Sequence, residues 1–238
     1  VCHNNTAAED LRFVRHLSPR IELRRQSWEE CPIPDRESCI RLPDGTIQTN
    51  CKILGGSLWK MCPPRVRPDA HEIIIDNDVM FVSRFPELEE FLASPARTLL
   101  LREGGQFFGR YEGYFDRHEC YNSGLIGLPP GYDFAADLVD AWERLGSLRN
   151  LSYADEQGLI SFVLKHTDHI AVSPRSVLEL HHNGFRDYPN GEERSTPYQF
   201  TGRETAFHFV ESNRLVHAPW QTYRSRRIVT APDYEDHS

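Results

Sequence analysis

Residues 71–82, HEIIIDNDVMFV, place two carboxylates between two apolar runs. The first run holds three consecutive isoleucines at 73–75, and a short apolar run of this kind predicts a buried strand. Asp76 and Asp78 follow directly, and the second apolar run, 79–82, comes next. The pattern therefore predicts a strand that carries two carboxylates at its carboxyl end.

The spacing of the two carboxylates suggests a cation site. Asp76 and Asp78 are two residues apart, so on an extended backbone both side chains point to the same side. Two carboxylates are costly to bury unless a positive group meets them. Oxygen ligands on one side of a strand end suit Mn²⁺ or Mg²⁺. The alternative to a cation site is a strand that simply ends in a polar turn, since such a turn could have the same spacing of carboxylates.

This stretch resembles the Asp-x-Asp motif of nucleotide-sugar glycosyltransferases with the GT-A fold, in particular the glycosyltransferase family 8, or glycogenin-like, group. In that family the motif follows an apolar strand and holds a divalent cation against the donor diphosphate. The resemblance implies that Asp76 and Asp78 bind Mn²⁺ (or Mg²⁺) and that Asn77 lies against the donor. Haloacid-dehalogenase and EF-hand patterns also contain Asp-x-Asp, but Met80 stands where they need Thr or Val, or an oxygen ligand.

The resemblance also implies the fold class. It is α/β, with a GT-A type (Rossmann-like) mixed sheet and helices on both faces. We expect a single domain over 1–238, with a nucleotide-binding part at about 1–82, an acceptor-side part at about 83–227 and a polar tail at 228–238. Strands that alternate with helices along the chain agree with a sheet covered on both faces.

Two segments before the motif are expected to meet the donor. In the resembled fold the loop after the first strand contacts the base and ribose, and here that loop offers His3, Asn4 and Asn5. A basic residue on the helix before the motif contacts the donor sugar or phosphate in similar enzymes, which implies Lys60. An ordinary solvated surface is the alternative for both segments.

A later strand reads CYNSGLIGL and contains Asn122, Ser123 and Gly124. These three residues resemble the Asn-(Ser/Ala)-Gly strand of retaining GT-A enzymes, which touches the donor sugar. We therefore expect them to bind the donor. The helix predicted next, at 134–145, carries an apolar stripe that includes Trp142, and we assign that stripe to the core.

A further helix, predicted at 152–165, has two acidic residues and a glutamine at its head. This head resembles the Asp-Gln segment of family-8-like enzymes, which contacts the donor sugar and the reacting centre. The resemblance implies a catalytic role for Asp155, Glu156 and Gln157, and either acidic residue could supply the carboxylate. An ordinary acidic cluster at a helix N-terminus is the alternative.

The segment 205–220, TAFHFVESNRLVHAPW, resembles the closing segment of the same group of enzymes. In that group a strand histidine is the third metal ligand, and it corresponds to His208 here. The Pro-Trp pair that ends the segment is present at 219–220. His-Ala at 217–218 replaces the usual lysine that meets the diphosphate. When protonated, His217 could still donate to a phosphate.

Charge and composition exclude several classes of function. The net charge of −8 argues against a nucleic-acid partner, which would need a basic surface. No apolar run approaches the roughly 20 residues of a membrane span. The cysteines form no Cys-x-x-Cys pair, so a zinc site is not expected. We expect a cytoplasmic protein, or one in the secretory-pathway lumen if an N-terminal anchor precedes Val1.

Three functions fit these residues to different degrees. The first is a metal-dependent glycosyltransferase that moves a sugar from a nucleotide-sugar donor, a UDP-sugar, to a carbohydrate or other hydroxyl acceptor. The second is a sugar-nucleotide-binding protein without turnover, which the missing lysine before Pro219 favours. The third is a metal-dependent phosphoryl hydrolase, which would need a second group of ligands beside Asp76, and the sequence shows no such spacing.

Overall fold

The structure is a computed structural model that describes residues 65–76, 78–102, 108–145, 153–181 and 204–209, together with the backbone of short strands outside these ranges. The elements follow in this order: β1 (Cys2–His3), β2 (Arg24–Arg25), β3 (Ile40–Arg41), β4 (Ile47–Gln48), β5 (Glu72–Ile75), β6 (Val79–Phe81), α1 (Pro86–Ala93), β7 (Thr98–Arg102), a 3-10 helix (Gly109–Tyr114), β8 (Tyr121–Leu128), α2 (Phe134–Leu145), α3 (Tyr153–Lys165), β9 (His169–Val172), β10 (Val177–His181), β11 (Gly184–Asp187), β12 (Glu192–Arg194) and β13 (Ala206–Phe209).

The chain divides into two compact units, each made of three stretches of sequence. The first unit holds Val1–Glu72, Phe107–Asp116 and Pro130–His166. The second unit holds the rest, and its stretches are Ile73–Gln106, Arg117–Pro129 and Thr167–Ser238.

The first unit contains α2, α3 and the 3-10 helix, with the parallel pair β1–β2 and the antiparallel pair β3–β4. Helix α3 lies close against the 3-10 helix because Gly158 has no side chain. A Cβ at that position would come within 2.2 Å of the Phe108 carbonyl oxygen. Trp142 of α2 is 2% exposed, so the prediction that it belongs to the core is confirmed.

The second unit contains two mixed sheets. One has the strand order β5-β8-β7-β9, in which β7 is antiparallel to β8 and parallel to β9. The other has the order β12-β11-β10-β13-β6, in which β13 is parallel to β10 and antiparallel to β6. The turn between β5 and β6 therefore carries the chain from one sheet to the other.

A shared apolar core joins the two sheets and α1 within the second unit. It contains residues from β7, β8 and β9 on one side, from β10 and β13 on the other, and from α1 and the residue before it. Its buried members are Phe85, Leu88, Phe91, Leu99, Leu101, Leu125, Ile170, Val172, Val177 and Ala206.

Local sequence signals account for where the helices begin. Pro86 takes the first position of α1, where its missing N–H costs nothing, and Glu87 and Glu89 stand in the first turn beside the positive end of the helix dipole. The carboxylate of Asp133 accepts a hydrogen bond from the Ala136 N–H at 3.0 Å and so caps the start of α2. These short-range signals explain where α1 and α2 begin. Helices α2 and α3 lie close to the predicted ranges 134–145 and 152–165.

The predicted mixed α/β class is confirmed, since the described chain contains helices and two mixed sheets.

The prediction that the isoleucine run is a buried strand is wrong in part. Strand β5 forms, and among the described strands it lies at the edge of its sheet, but Ile73 and Ile75 are 37% and 45% exposed. Side chains alternate along a strand, so Ile73 and Ile75 share one face, and that face of β5 is left partly open to solvent. Within the described residues, no helix is long and apolar enough to cross a membrane.

Candidate metal centre

The two aspartates stand on a tight turn. The Val79 N–H donates to the Asp76 carbonyl oxygen at 3.1 Å, which closes a four-residue turn. The Asp76 N–H donates to the Gly124 carbonyl oxygen at 2.9 Å, so the turn begins against β8. The expectation of an extended backbone through Asp78 is therefore wrong. The chain turns because it leaves one sheet and enters the other at this point.

His208 reaches the same place from the other end of the sequence. It lies on β13, where it pairs with Val79 of β6 across an antiparallel ladder. The Phe209 N–H donates to the Asp78 carbonyl oxygen at 2.9 Å, which extends this pairing into the turn. Backbone hydrogen bonds thus tie the turn to β8 on one side and to β13 on the other.

The three side chains converge at this junction. Asp76, Asp78 and His208 each offer a ligand atom, and these atoms all lie within 4.8 Å of one another. The Nε2 atom of His208 is 3.6 Å from Oδ1 of Asp78. His208 is buried, whereas both aspartates are half-buried, so the group opens on its aspartate side. The structure therefore brings together the three residues predicted to be metal ligands.

This donor set fits a divalent cation. Ligands of one Mg²⁺-sized ion lie about 2 Å from it, so two of them are about 3 Å apart at right angles and about 4 Å apart when opposite. The observed spacing is of that size. Carboxylates suit Mg²⁺ and Mn²⁺, and an imidazole shifts the preference toward transition metals. Without a cation, the 3.6 Å approach would be an ion pair only when His208 is protonated.

Gly124 makes room for the histidine ring. A Cβ at this position would lie 3.1 Å from the Cε1 and Nε2 atoms of His208 and 2.7 Å from Oδ1 of Asn122. The Asn122 side chain accepts a short hydrogen bond from the Gly124 N–H. Asn122 and Gly124 therefore face the metal centre. Ser123, which lies between them, is buried.

The three predicted catalytic residues lie in the first unit, at the head of α3. Asp155 is fully buried, and its Oδ1 accepts the Arg110 N–H at 2.8 Å. Its Oδ2 is 4.0 Å from Nε of the half-exposed Arg110 side chain. Gly109 adopts φ +54° beside it, and a Cβ there would meet the carboxylate at 2.1 Å. Asp155 thus joins α3 to the 3-10 helix. Glu156 is buried and Gln157 is half-buried.

The same contact region affects Tyr111 of the 3-10 helix. Burial raises the pKa of its phenol well above the ordinary value, and the nearby Asp155 carboxylate raises the pKa further. Arg110 acts in the opposite direction but more weakly. The Tyr111 hydroxyl is buried and has no hydrogen-bond partner among the described residues.

Several of the residues predicted to bind the donor lie outside the part of the chain that the structure describes. Asn4, Asn5, Lys60, Asn77 and His217 lie outside the described residues, as does the Pro-Trp pair at 219–220. For His3 the structure describes only the backbone, in β1. Their roles stay predictions.

The sequence interpretation missed Glu179. This carboxylate lies on β10 in the run SVLELH, directly beside His208 in the parallel register of β10 and β13. It is 6% exposed. One signal was available, because an acidic residue in the middle of an apolar strand is rarely buried without a specific reason.

Comparison with known proteins gives matches among solved structures but none among protein families or curated sequences. No protein-family model matches this sequence, and no curated protein matches it significantly. Solved structures also match the chain, and two of them are structures of LgtC. One is an active-site mutant of LgtC, with 13% identity and a TM-score of 0.45, covering 90% of this chain and 77% of that chain. The other is the galactosyltransferase LgtC in complex with donor and acceptor sugar analogs, with 12% identity and a TM-score of 0.39, covering 94% and 91%. The function proposed next rests on the residues of the site and not on these similarities.

Proposed function

We propose that this chain is a metal-dependent glycosyltransferase that moves a sugar from a nucleotide-sugar donor, a UDP-sugar, to a hydroxyl group of an acceptor. The observation that carries the proposal is the convergence of Asp76, Asp78 and His208, because an Asp-x-Asp turn and a distant strand histidine meet within 4.8 Å. The GT-A arrangement and the single domain over 1–238 belong to the same proposal.

Asp76, Asp78 and His208 would hold the cation, for which Mn²⁺ fits the mixed oxygen and nitrogen set. When bound, a cation here supplies Lewis acidity and binds the diphosphate, whose negative charge grows as the sugar–phosphate bond breaks. The half-buried side of the group, where Asp76 and Asp78 stand, is the side open to a diphosphate. His208, buried behind them, fixes the position of the site.

The remaining predicted residues are assigned to the donor. Asn122 and Gly124 face the centre from β8 and would contact the sugar or the diphosphate. In this proposal Glu156 and Gln157 orient the sugar, while Asp155 positions the head of α3 through its hydrogen bond to Arg110.

A screen of nucleotide sugars by thermal shift, with and without Mn²⁺, tests the proposal. We expect a UDP-sugar to raise the melting temperature only when Mn²⁺ is present, and a matched His208→Ala variant to lose that increase. A product assay with the stabilising donor then follows. If the only products are UMP and sugar 1-phosphate, the donor has been cut within its diphosphate, the chain is a phosphoryl hydrolase and the proposal fails.

A sugar-nucleotide-binding protein without turnover is the second candidate. The observation in its favour is the His-Ala pair at 217–218, in place of the lysine expected before Pro219. The two candidates differ in one measurement. Mn²⁺-dependent donor binding with no transfer to a panel of sugar acceptors, and no donor hydrolysis, would support binding without turnover.

A further inference from the structure

Glu179 and His208 stand side by side on the inner face of the five-stranded sheet. The parallel register pairs Val177 with Ala206 and Glu179 with His208. Val177 and Ala206 belong to the core shared by the two sheets. Because residues two apart on a strand point the same way, Glu179 and His208 share this inward face.

Apolar residues line both faces of these strands around Glu179 and His208, so a carboxylate at position 179 is an exception. Leu180, Phe207 and Phe209 form a separate apolar cluster on the outer face, with Leu178 packed against it. An apolar residue at 179 would likewise continue the inner core. A carboxylate that is 6% exposed costs far more free energy to bury than such a residue unless a compensating group is near. The neighbour in the same row is the histidine of the candidate metal centre.

We propose that Glu179 is a positioning residue of the cation site: when a cation is bound, its carboxylate orients the His208 ring on the neighbouring strand and adds negative charge behind the ligands. This inference rests on the proposed metal site. A histidine that binds a metal is commonly oriented by a carboxylate outside the ligand set. A buried negative charge also attracts a divalent cation more strongly than an exposed one does.

Glu179 acts through His208 and not as a ligand. The group whose ligand atoms gather within 4.8 Å consists of Asp76, Asp78 and His208, and Glu179 is not among them. Nε2 of His208 faces Asp78. The ring therefore has one edge toward the cation position, and Glu179 stands beside it on the neighbouring strand.

Glu179→Gln is the informative variant because it removes the charge and keeps the size. Mn²⁺ affinity by calorimetry and the visible spectrum of bound Co²⁺ are the readouts. We expect Mn²⁺ affinity to fall about 10- to 100-fold and the Co²⁺ spectrum to change. The melting temperature without metal is measured in parallel, because a structural role is expected to lower it.

A purely structural role predicts the reverse pattern, and Glu87→Gln is the matched control for it. Glu87 accepts hydrogen bonds from the Ser173 N–H at 2.9 Å and the Ser176 hydroxyl at 2.8 Å, close to the start of β10. This control should lower the melting temperature and leave Mn²⁺ affinity and the Co²⁺ spectrum unchanged. If Glu179→Gln behaves as Glu87→Gln does, Glu179 is structural and the inference is wrong.

The test also covers a Glu179→Gln variant that does not fold and a parent protein that does not bind Mn²⁺. If Glu179→Gln does not fold, Glu179→Asp takes its place, and we expect this shorter carboxylate to weaken Mn²⁺ binding while keeping the charge. Parent-like Mn²⁺ affinity in Glu179→Asp would then overturn the inference. If the parent protein itself binds no Mn²⁺, the proposed metal function fails first. Normal binding by the parent together with unaffected Glu179 variants overturns only the role of Glu179.

Discussion

The missing side chain of Gly124 leaves room for the candidate metal centre. A Cβ at this position would press against the His208 imidazole at 3.1 Å and would collide with Oδ1 of Asn122 at 2.7 Å. Both neighbours are buried and have little freedom to move away. The ligand position of His208 therefore depends on a residue that contributes no ligand.

Gly124→Ala should weaken Mn²⁺ binding about 10-fold, as a ring shifted by a few tenths of an ångström no longer meets the ligand geometry. The added methyl group in a packed site should also cost about 1–3 kcal/mol of stability. Calorimetric Mn²⁺ titration and thermal melting measure the two effects. Gly113→Ala is the control, because its Cβ would meet nothing within 4 Å. Parent-like Mn²⁺ affinity in Gly124→Ala would show that His208 is not a ligand in this position.

Asp78→Ala should abolish Mn²⁺ binding and Mn²⁺-dependent UDP binding while the protein stays folded. Its carboxylate lies beside that of Asp76, so its removal relieves repulsion in the metal-free protein. The melting temperature without metal should be equal or higher. The control is Asp133→Ala, which loses the cap of α2, should cost about 1 kcal/mol and should still bind Mn²⁺. Unchanged Mn²⁺ and UDP affinity in Asp78→Ala would rule out this metal site.

The packing of α3 against the 3-10 helix determines the properties of the first unit. Gly158 allows the close approach, Gly109 supplies a left-handed backbone, and Asp155 accepts a hydrogen bond across the contact. Tyr111 lies buried in the same region. A polar side chain at the head of a helix can thus serve packing as well as chemistry.

Tyr111→Phe should stabilise the protein at neutral pH by about 1 kcal/mol, because it removes a buried hydroxyl that lacks a partner among the described residues. The raised pKa of Tyr111 adds a pH effect in the parent protein. Because the folded state favours the neutral phenol, the stability of the parent is unaffected by this group below pH about 10 and falls as the pH rises beyond that value. Denaturant melts from pH 8 to 11 should show a flatter alkaline decline in the variant. An identical decline in both proteins would contradict this prediction.

Trp142→Ala should cost about 3–5 kcal/mol of stability, since the indole is almost fully buried in α2 and its loss leaves a cavity. Urea unfolding measures this directly. Exposed Glu143 is next to it on the same helix, and Glu143→Ala should change stability by less than about 0.5 kcal/mol. A stable Trp142→Ala protein that had lost only donor binding would show that this residue belongs to a site and not to the core.

For the whole chain, Mn²⁺ should protect the junction of the two sheets more than the first unit. The amides of Asp76, Val79 and Phe209 donate the hydrogen bonds that hold the ligands in place. Opening any of these bonds separates the ligands, so at Mn²⁺ 100 times its dissociation constant local exchange should slow by up to about 100-fold. Hydrogen exchange with and without Mn²⁺ measures this. Equal slowing at the Ala136 amide of α2 would show that the cation does not act on this junction in particular.

Local sequence was enough to predict α2, α3 and the strand before Asp76, and to indicate candidate cation ligands. Apolar periodicity predicted α2 close to its observed range, and Pro86 and Asp133 mark the starts of α1 and α2, because these signals act within one helical turn. The isoleucine run followed by Asp76 and Asp78 indicated a strand end with cation ligands. The identity of His208 as a partner came from a motif resemblance and could not be reached from its own neighbours.

The pairing of strands distant in sequence determined the exposure of β5, the turn after it and the neighbours of His208. One face of β5 is left partly open to solvent, which exposes Ile73 and Ile75, and the change of sheet after β5 converted an expected extended segment into a turn. The register of β10 with β13 placed Glu179 beside His208, across 29 residues of sequence whose content specifies no register. Register depends on side chains from distant strands packing in one core, so no local pattern encodes it.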